Sequence, residues 1–238
     1  MTGRTYAIAK EIHDRFPGYV RGVVIAYGLT NGPSSPALTE LLREAEASVR
    51  DRLDLEAITA HPRIASWREA FKAQGIKPNE FRCSVEAMAR RALRGQPLPA
   101  INALVDLGNA LSLKHLVPVG SHAIDVVNGH LSLRPATGQE TFVAFGSEET
   151  EHPVPGEIVF TEGDIVLTRR WSWRQSNHTL TLPGTTAIEF NVDGLPPVSK
   201  EEVASICEEV MALIRTYCGG TLRYVLLTKD HPEMSIEP

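Results

Sequence analysis

The sequence predicts an α+β fold, a mixed and largely antiparallel sheet with packed helices. Three observations carry this. Apolar residues recur at helical spacing in four consecutive segments of the first half. From residue 118 onward, short β-like runs alternate with Gly, Pro and Asn. One long amphipathic segment and a final apolar run then follow. Strand, four helices, several strands, helix, strand is not the alternating order of a parallel βαβ sheet. No repeat or clean linker divides the chain ("PPVS" at 196 to 199 is the weak exception), so residues 1–238 read as one domain.

The alternating YVRGVVIAYGL, 19 to 29, reads as a strand, and TNGPSSP as a loop. Ser35 is placed to cap a helix with Pro36 in its first turn. Leu41, Leu42, Ala45, Val49 and Leu53 give that helix its apolar face. In HPRIASWREAFKAQGI, Ile64, Trp67 and Phe71 share a face, and Gly75 ends the helix. Ser84 is the expected cap of SVEAMARRAL, with Glu86 in the first turn, where the helix dipole favours an acid. LPAINALVDLGNALSLKH after Pro97 is the fourth helix. HLSLRP, ETFVAF, EIVFT, DIVLTRRWSWR, HTLTLP and TTAIEFNVDGL read as strands, with EGD as a hairpin turn. Ser199 caps KEEVASICEEVMALIRTY, Gly219 and Gly220 end it, and LRYVLLT is the last strand before an acidic tail.

Composition narrows the function classes. The chain has 238 residues, 42% of them hydrophobic, which suffices for a sizeable core, and a net charge of −5. An acidic balance argues against a dedicated nucleic-acid binder, though a local basic patch still steers a ligand. No apolar run approaches the roughly 20 residues of a membrane span. The start lacks a signal peptide's apolar region, so cytoplasmic is the expected location. Cys83, Cys207 and Cys218 form no CxxC pair and read as reduced, buried thiols. The eight histidines show no ligand spacing, so no metal site is expected; His61 and His115 read as capping or surface groups. No Gly-rich phosphate loop or nucleophile elbow occurs, and no cofactor is implied.

Two polar groupings stand out. Asn102, Asp106 and Asn109 share one face of an otherwise apolar helix, either a pocket lining or a solvated face. Arg82, Arg90, Arg91 and Arg94 cluster around the third helix. They are either surface arginines, with Glu86 pairing to Arg90 one turn on, or an anion-receiving group. RRWSWRQS, 169 to 176, read as a strand, puts Arg169, Trp171, Trp173 and Gln175 on one face.

RCSVEAMARRALRGQPLPAINALVDLGNALSLKHLVPVGSHAID, NGHLSLRPATGQETF, PGEIVF and RRWSWRQS together resemble the tRNA-editing unit of the bacterial phenylalanyl-tRNA synthetase β subunit, its third and fourth (B3/B4-type) domains. The resemblance runs from about Pro62 to Pro197, and Leu98 to Asp125 is its most specific part. It implies a mixed α/β fold with a pocket between helices and sheet. It also implies hydrolysis of the ester joining a wrong amino acid to tRNA, with aminoacyl-tRNA or its 3′ end, or a free amino acid, as partner, and neither membrane nor DNA. A complete ligase does not fit in what remains.

Two departures separate the chain from the synthetase pattern. The histidine of a "PMHAFD"-like run falls on Gly120, with His122 two positions later. The glutamate of a "GGEHSG" run falls near Gln175 or Ser176. On this reading His122, His178 and Gln175 are the catalytic candidates. Asn102, Asp106, Asn109, Arg170, Trp173 and Arg174 are the substrate-binding ones, with Asp106 holding an amino group. Arg82, Arg90, Arg91 and Arg94 are the RNA-binding group, and Trp171 with Trp173 form core or pocket wall. The rivals are a non-catalytic module for a tRNA end or amino acid, and an interaction domain that keeps only the fold.

Overall fold

The computed structural model describes residues 3–238. In chain order the elements are β1 (Thr5–Ile8), α1 (Lys10–Arg15), β2 (Val20–Tyr27), α2 (Pro36–Arg52), α3 (Pro62–Ala73), α4 (Ser84–Leu93) and α5 (Ala103–His115). Then come β3 (Val119–Ala123), β4 (Leu131–Pro135), β5 (Phe142–Val143), β6 (Thr150–Glu151), β7 (Ile158–Glu162), β8 (Ile165–Arg169) and β9 (Arg174–Gln175). The chain closes with β10 (Ala187–Gly194), α6 (Lys200–Tyr217), β11 (Thr221–Leu227) and β12 (Glu233–Ser235).

The fold is α+β, as the sequence predicts. One sheet has the order β12-β1-β4-β7-β8-β9, a second β11-β2-β10-β3, and β5 pairs with β6. Every ladder between two of these strands is antiparallel except that of β1 with β4. β2 is central and covered on both faces, which is why its run of apolar residues scarcely alternates. Val23 and Ile25 join Tyr6, Leu133 and Phe160 of the larger sheet and the inner faces of α2 to α4 in one core. Val24 and Ala26 join the apolar faces of α5 and α6 in the second.

The helix starts follow their caps. Ser35 Oγ accepts from Leu38 N–H (3.2 Å) and Ser199 Oγ from Glu202 N–H (3.2 Å). His61 Nδ1 accepts from Arg63 N–H (3.3 Å) ahead of Pro62. Ser84 departs from expectation: Cys83 holds the cap position and Ser84 is the first helical residue. Ser84 N–H donates instead to the carbonyl of Ser172 (2.8 Å), so a distant turn satisfies the end of α4. α5 starts later than Pro97 suggests, at Ala103, because Asn102 caps it.

Three other segments depart from the sequence reading. HTLTLP forms no strand; its one ladder bond runs from Ala123 N–H to Thr179 O (3.0 Å). The acidic tail supplies β12, which pairs with β1. RRWSWRQS is not one strand: Arg170 (φ 48°) and Trp171 (φ 65°) adopt the left-handed region and reverse the chain between β8 and β9. Each such residue costs about 1–2 kcal/mol. The reversal is held by Trp171 N–H to Ile158 O (2.7 Å), by Arg170 N–H to Glu157 Oε1 (3.1 Å), and by burial of the Trp171 indole.

Candidate functional site

A half-open cavity of about 560 Å³ lies where α4 and α5 face the edge strand β3 and the turn after β8. Its walls are apolar and aromatic, among them Met88, Val105, Trp171, Trp173 and Leu180. Its floor is polar and comes from Arg21 of β2 and from Asn191 and Asp193 of β10. Glu189, Asn191 and Asp193 of β10 share one face by the two-residue period, and Asp193 stands opposite Arg21 of β2.

Arg21 is 1% exposed and grips Asp193 with two parallel bonds, Nε to Oδ1 at 2.6 Å and Nη2 to Oδ2 at 2.9 Å. Its Nη1 donates to Tyr6 Oη (2.7 Å), Tyr6 donates to Asn191 Oδ1 (2.5 Å), and Asn191 Nδ2 donates to Glu189 Oε1 (2.9 Å). Tyr19 donates to Asp193 and accepts from Trp171 Nε1 (3.2 Å). Burial opposes the charge on Arg21, but Asp193 and the two tyrosines outweigh it and raise its pKa. The floor is therefore a fixed cation–anion pair whose hydrogen bonds close on one another.

His122 and Glu189 stand opposite each other in the register of β3 and β10. Both are buried, and both are neutral over a shared range of pH. Burial first, then Arg21, pushes the His122 pKa down to about 3. Burial raises that of Glu189 to about 8 against the pull of Arg21. His122 Nδ1 meets Thr179 Oγ1 (2.6 Å) and its Nε2 meets Thr168 Oγ1 (3.1 Å). These shifts set opposing limbs of stability. Between about pH 3 and 6.5 the unfolded chain takes up a proton that native His122 refuses, so stability rises with pH. Between about 4.5 and 8 native Glu189 keeps a proton the unfolded chain has lost, so stability falls as pH rises. The two cancel from about 4.5 to 6.5, leaving a net decline from about 6.5 to 8. Thermal melts of Glu189→Gln are expected to lack that decline; a decline as steep as in the wild type contradicts the account.

The sequence candidates are distributed unevenly. Asn109, Trp173, Arg174, Gln175 and His122 line the cavity. Gln175 Nε2 donates to Ser121 O (3.0 Å) and Thr179 O (3.3 Å), while its Oε1 has no partner among the described residues. Asn102 touches the cavity but is spent on structure: Oδ1 accepts from Val105 N–H (3.1 Å) and Nδ2 donates to Thr181 O (2.8 Å). Asp106 is not a cavity group. It is fully buried and accepts from Ile101 N–H (3.0 Å) and Ser34 Oγ (2.5 Å), so its carboxylate is consumed at the start of α5 and not offered to a ligand amine.

Arg170 lies behind Trp173, its guanidinium 3.7 Å from the Phe81 ring centre and 4.3 Å from that of Trp173, where it braces the wall from outside the cavity. His178 is held by Glu162 (2.8 Å) and also lies outside. Arg82, Arg90 and Arg94 surround a second hollow of about 240 Å³ that shares Trp173 with the first. Glu86 accepts there from Arg68 (2.9 Å) and from Arg90 (2.8 Å), the latter the pairing expected one turn on. Arg91 points elsewhere, to Pro97 O (3.0 Å). The three cysteines are free and buried, and burial pushes the Cys83 thiol up to about 12.

The sequence reading missed Arg21, Tyr6, Asn191 and Asp193. The signal was present: an arginine inside VRGVVIAY, and acids or amides at every second position of AIEFNVDG.

Among the described residues no helix is long and apolar enough to cross a membrane, and no three His, Cys, Asp or Glu residues gather as a metal site. Fold and cavity define an α+β domain with a half-open cavity over a pre-formed polar floor. The family described as the B3/4 domain matches residues 66–219, and the chain belongs to that family. A solved structure similar to it is an N-terminal fragment of the phenylalanyl-tRNA synthetase β-subunit from Pyrococcus horikoshii, at 12% identity and a TM-score of 0.49. The match covers 93% of this chain and 51% of that one, so the chain spans about half that structure's length. No curated protein matches.

Proposed function

We propose that the cavity receives the aminoacyl group carried on the 3′ end of a tRNA and that the protein hydrolyses its ester in the cytoplasm. One observation carries the reading. Among the described residues six large hydrophobic side chains stand exposed, and three of them (Ile101, Phe145 and Leu182) rim this one mouth, above a closed polar floor. A mouth edged with exposed apolar groups suits the flat terminal adenine, while the enclosed part suits one amino acid. Arg174 at the rim, and the neighbouring hollow of Arg82, Arg90 and Arg94, offer cations to the adjoining phosphates despite the acidic net charge. Family membership supports the same assignment.

In the reaction a water oxygen adds to the ester carbonyl carbon. The bond to the ribose oxygen then breaks, and free amino acid and a ribose hydroxyl leave. His122 is a weak base with its pKa at about 3, so it acts as a neutral holder of the Thr168 and Thr179 hydroxyls. The unpartnered Oε1 of Gln175 accepts a hydrogen bond from the attacking water, and Asn109 from above offers a donor to the substrate. The rate then rests on positioning and on donors at the developing oxyanion, acting on an ester that is already reactive. Incubation with a panel of mischarged tRNAs is expected to accelerate deacylation of at least one. No acceleration across the panel sinks the hydrolase reading, and binding without acceleration leaves a module that only holds the aminoacyl end.

A further inference from the structure

We propose that the free edge of β3 holds the aminoacyl group as a one-residue extension of the sheet. This deepens the reading above and rests on it. β3 is the outermost strand of its sheet. Asp193 N–H donates to Pro118 O (3.0 Å) and Ile124 N–H to Ala187 O (3.0 Å), each pair directly opposed in the β10 register. The even-numbered residues of β3 therefore bond to β10, and Val119, Ser121 and Ala123 turn their N–H and C=O groups the other way.

Part of that outer edge is covered. Ala123 N–H donates to Thr179 O (3.0 Å), and Ser121 O accepts from Gln175 Nε2 (3.0 Å). The rest is open. Ser121 N–H and Val119 C=O have no partner among the described residues, and both residues line the cavity. Unpaired edge groups of this kind are templates for another strand. These two flank Gly120, where an added Cβ meets nothing within 4 Å.

In a parallel ladder a residue's N–H bonds the carbonyl on one side of its opposite number, and its C=O bonds the N–H on the other. An α-aminoacyl group carries the same donor and acceptor at the same spacing. Its ammonium donates to Val119 O and its carbonyl oxygen accepts from Ser121 N–H, with the group lying opposite Gly120. The backbone atoms of the amino acid are thus read without reference to its side chain, which goes on to the apolar wall. The carbonyl oxygen meets a fixed donor where charge develops on attack by water.

The test uses 3′-deoxy-3′-aminoacylamino-adenosines with alanyl, seryl, leucyl and phenylalanyl groups, amides in place of the ester, and reduced analogues with CH₂ replacing C=O. Calorimetric titration of the wild type is expected to favour the tightest amide over its reduced form by about tenfold. Ser121→Pro deletes the N–H at an outward edge position, where proline is tolerated. It is expected to weaken the amide by a similar factor and to bind both forms alike. Ser121→Pro that still discriminates, or a wild type that binds the two forms equally, overturns the pairing alone. A wild type that binds none of the amides overturns the aminoacyl reading and the pairing with it. Should Ser121→Pro not fold, NMR of the wild type decides: the Ser121 amide proton moves downfield with the amide but not with its reduced form, and an unmoved resonance overturns the pairing.

Discussion

Asp193→Ala is expected to destabilise the protein by about 3–5 kcal/mol. The carboxylate takes two bonds from Arg21 and one from Tyr19, and it is 4% exposed. Its removal leaves a guanidinium at 1% exposure beside tyrosine hydroxyls and the Phe160 ring, with no carboxylate bonded to it. The cost is mainly that of an uncompensated buried charge, since a buried pair exchanged whole for apolar groups is often neutral. Arg21→Met with Asp193→Leu is therefore expected to be more stable than Asp193→Ala while losing affinity for any ligand of the cavity floor. Urea midpoints of the two variants check this; a double variant no more stable than the single contradicts the assignment of the pair.

Trp171→Ala is expected to cost about 3–5 kcal/mol. The indole packs edge-on against Phe16 (4.9 Å), Tyr19 (4.8 Å) and Trp67 (5.1 Å), joining the turn after β8 to the connection between α1 and β2 and to α3. An unusual sign accompanies it. Because Trp171 has φ 65°, Trp171→Gly should be no less stable than Trp171→Ala, whereas glycine ordinarily costs more than alanine. Trp173 is only half-buried, and Phe81 and Arg170 support it from behind. The two tryptophans of one eight-residue stretch thus divide their work. Trp171 anchors the reversal that brings Trp173, Arg174 and Gln175 to the cavity, and Trp173 is wall.

How much of this was legible in the sequence follows from the range of each interaction. α2, α3 and α6 are written locally, in a cap and a 3.6-residue apolar period, and they appear where those signals lie. β1 and β12 are four and three residues long and exist because they find each other across the whole chain, so no local pattern announces them. The polar face of α5 shows spacing and use coming apart. Asn102, Asp106 and Asn109 do share a face, but the start of the helix consumes the first two as cap and buried acceptor, leaving Asn109 for the cavity. The Arg21–Asp193 pair joins residues 172 apart. An arginine inside one apolar strand and acids or amides at every second place of another are local signals, but only the register says which of them meet.

Gly120 offers the most direct measurement. It lines the cavity in extended backbone, and the space beyond its Cα is open, so Gly120→Leu fills the cavity without straining the fold. The rate at which wild type and Gly120→Leu deacylate the most responsive mischarged tRNA decides the central claim. The account predicts acceleration by the wild type and a loss of about a hundredfold in the variant, with its melting temperature nearly unchanged. Equal rates for the two proteins would contradict it, because hydrolysis would then occur somewhere other than this cavity.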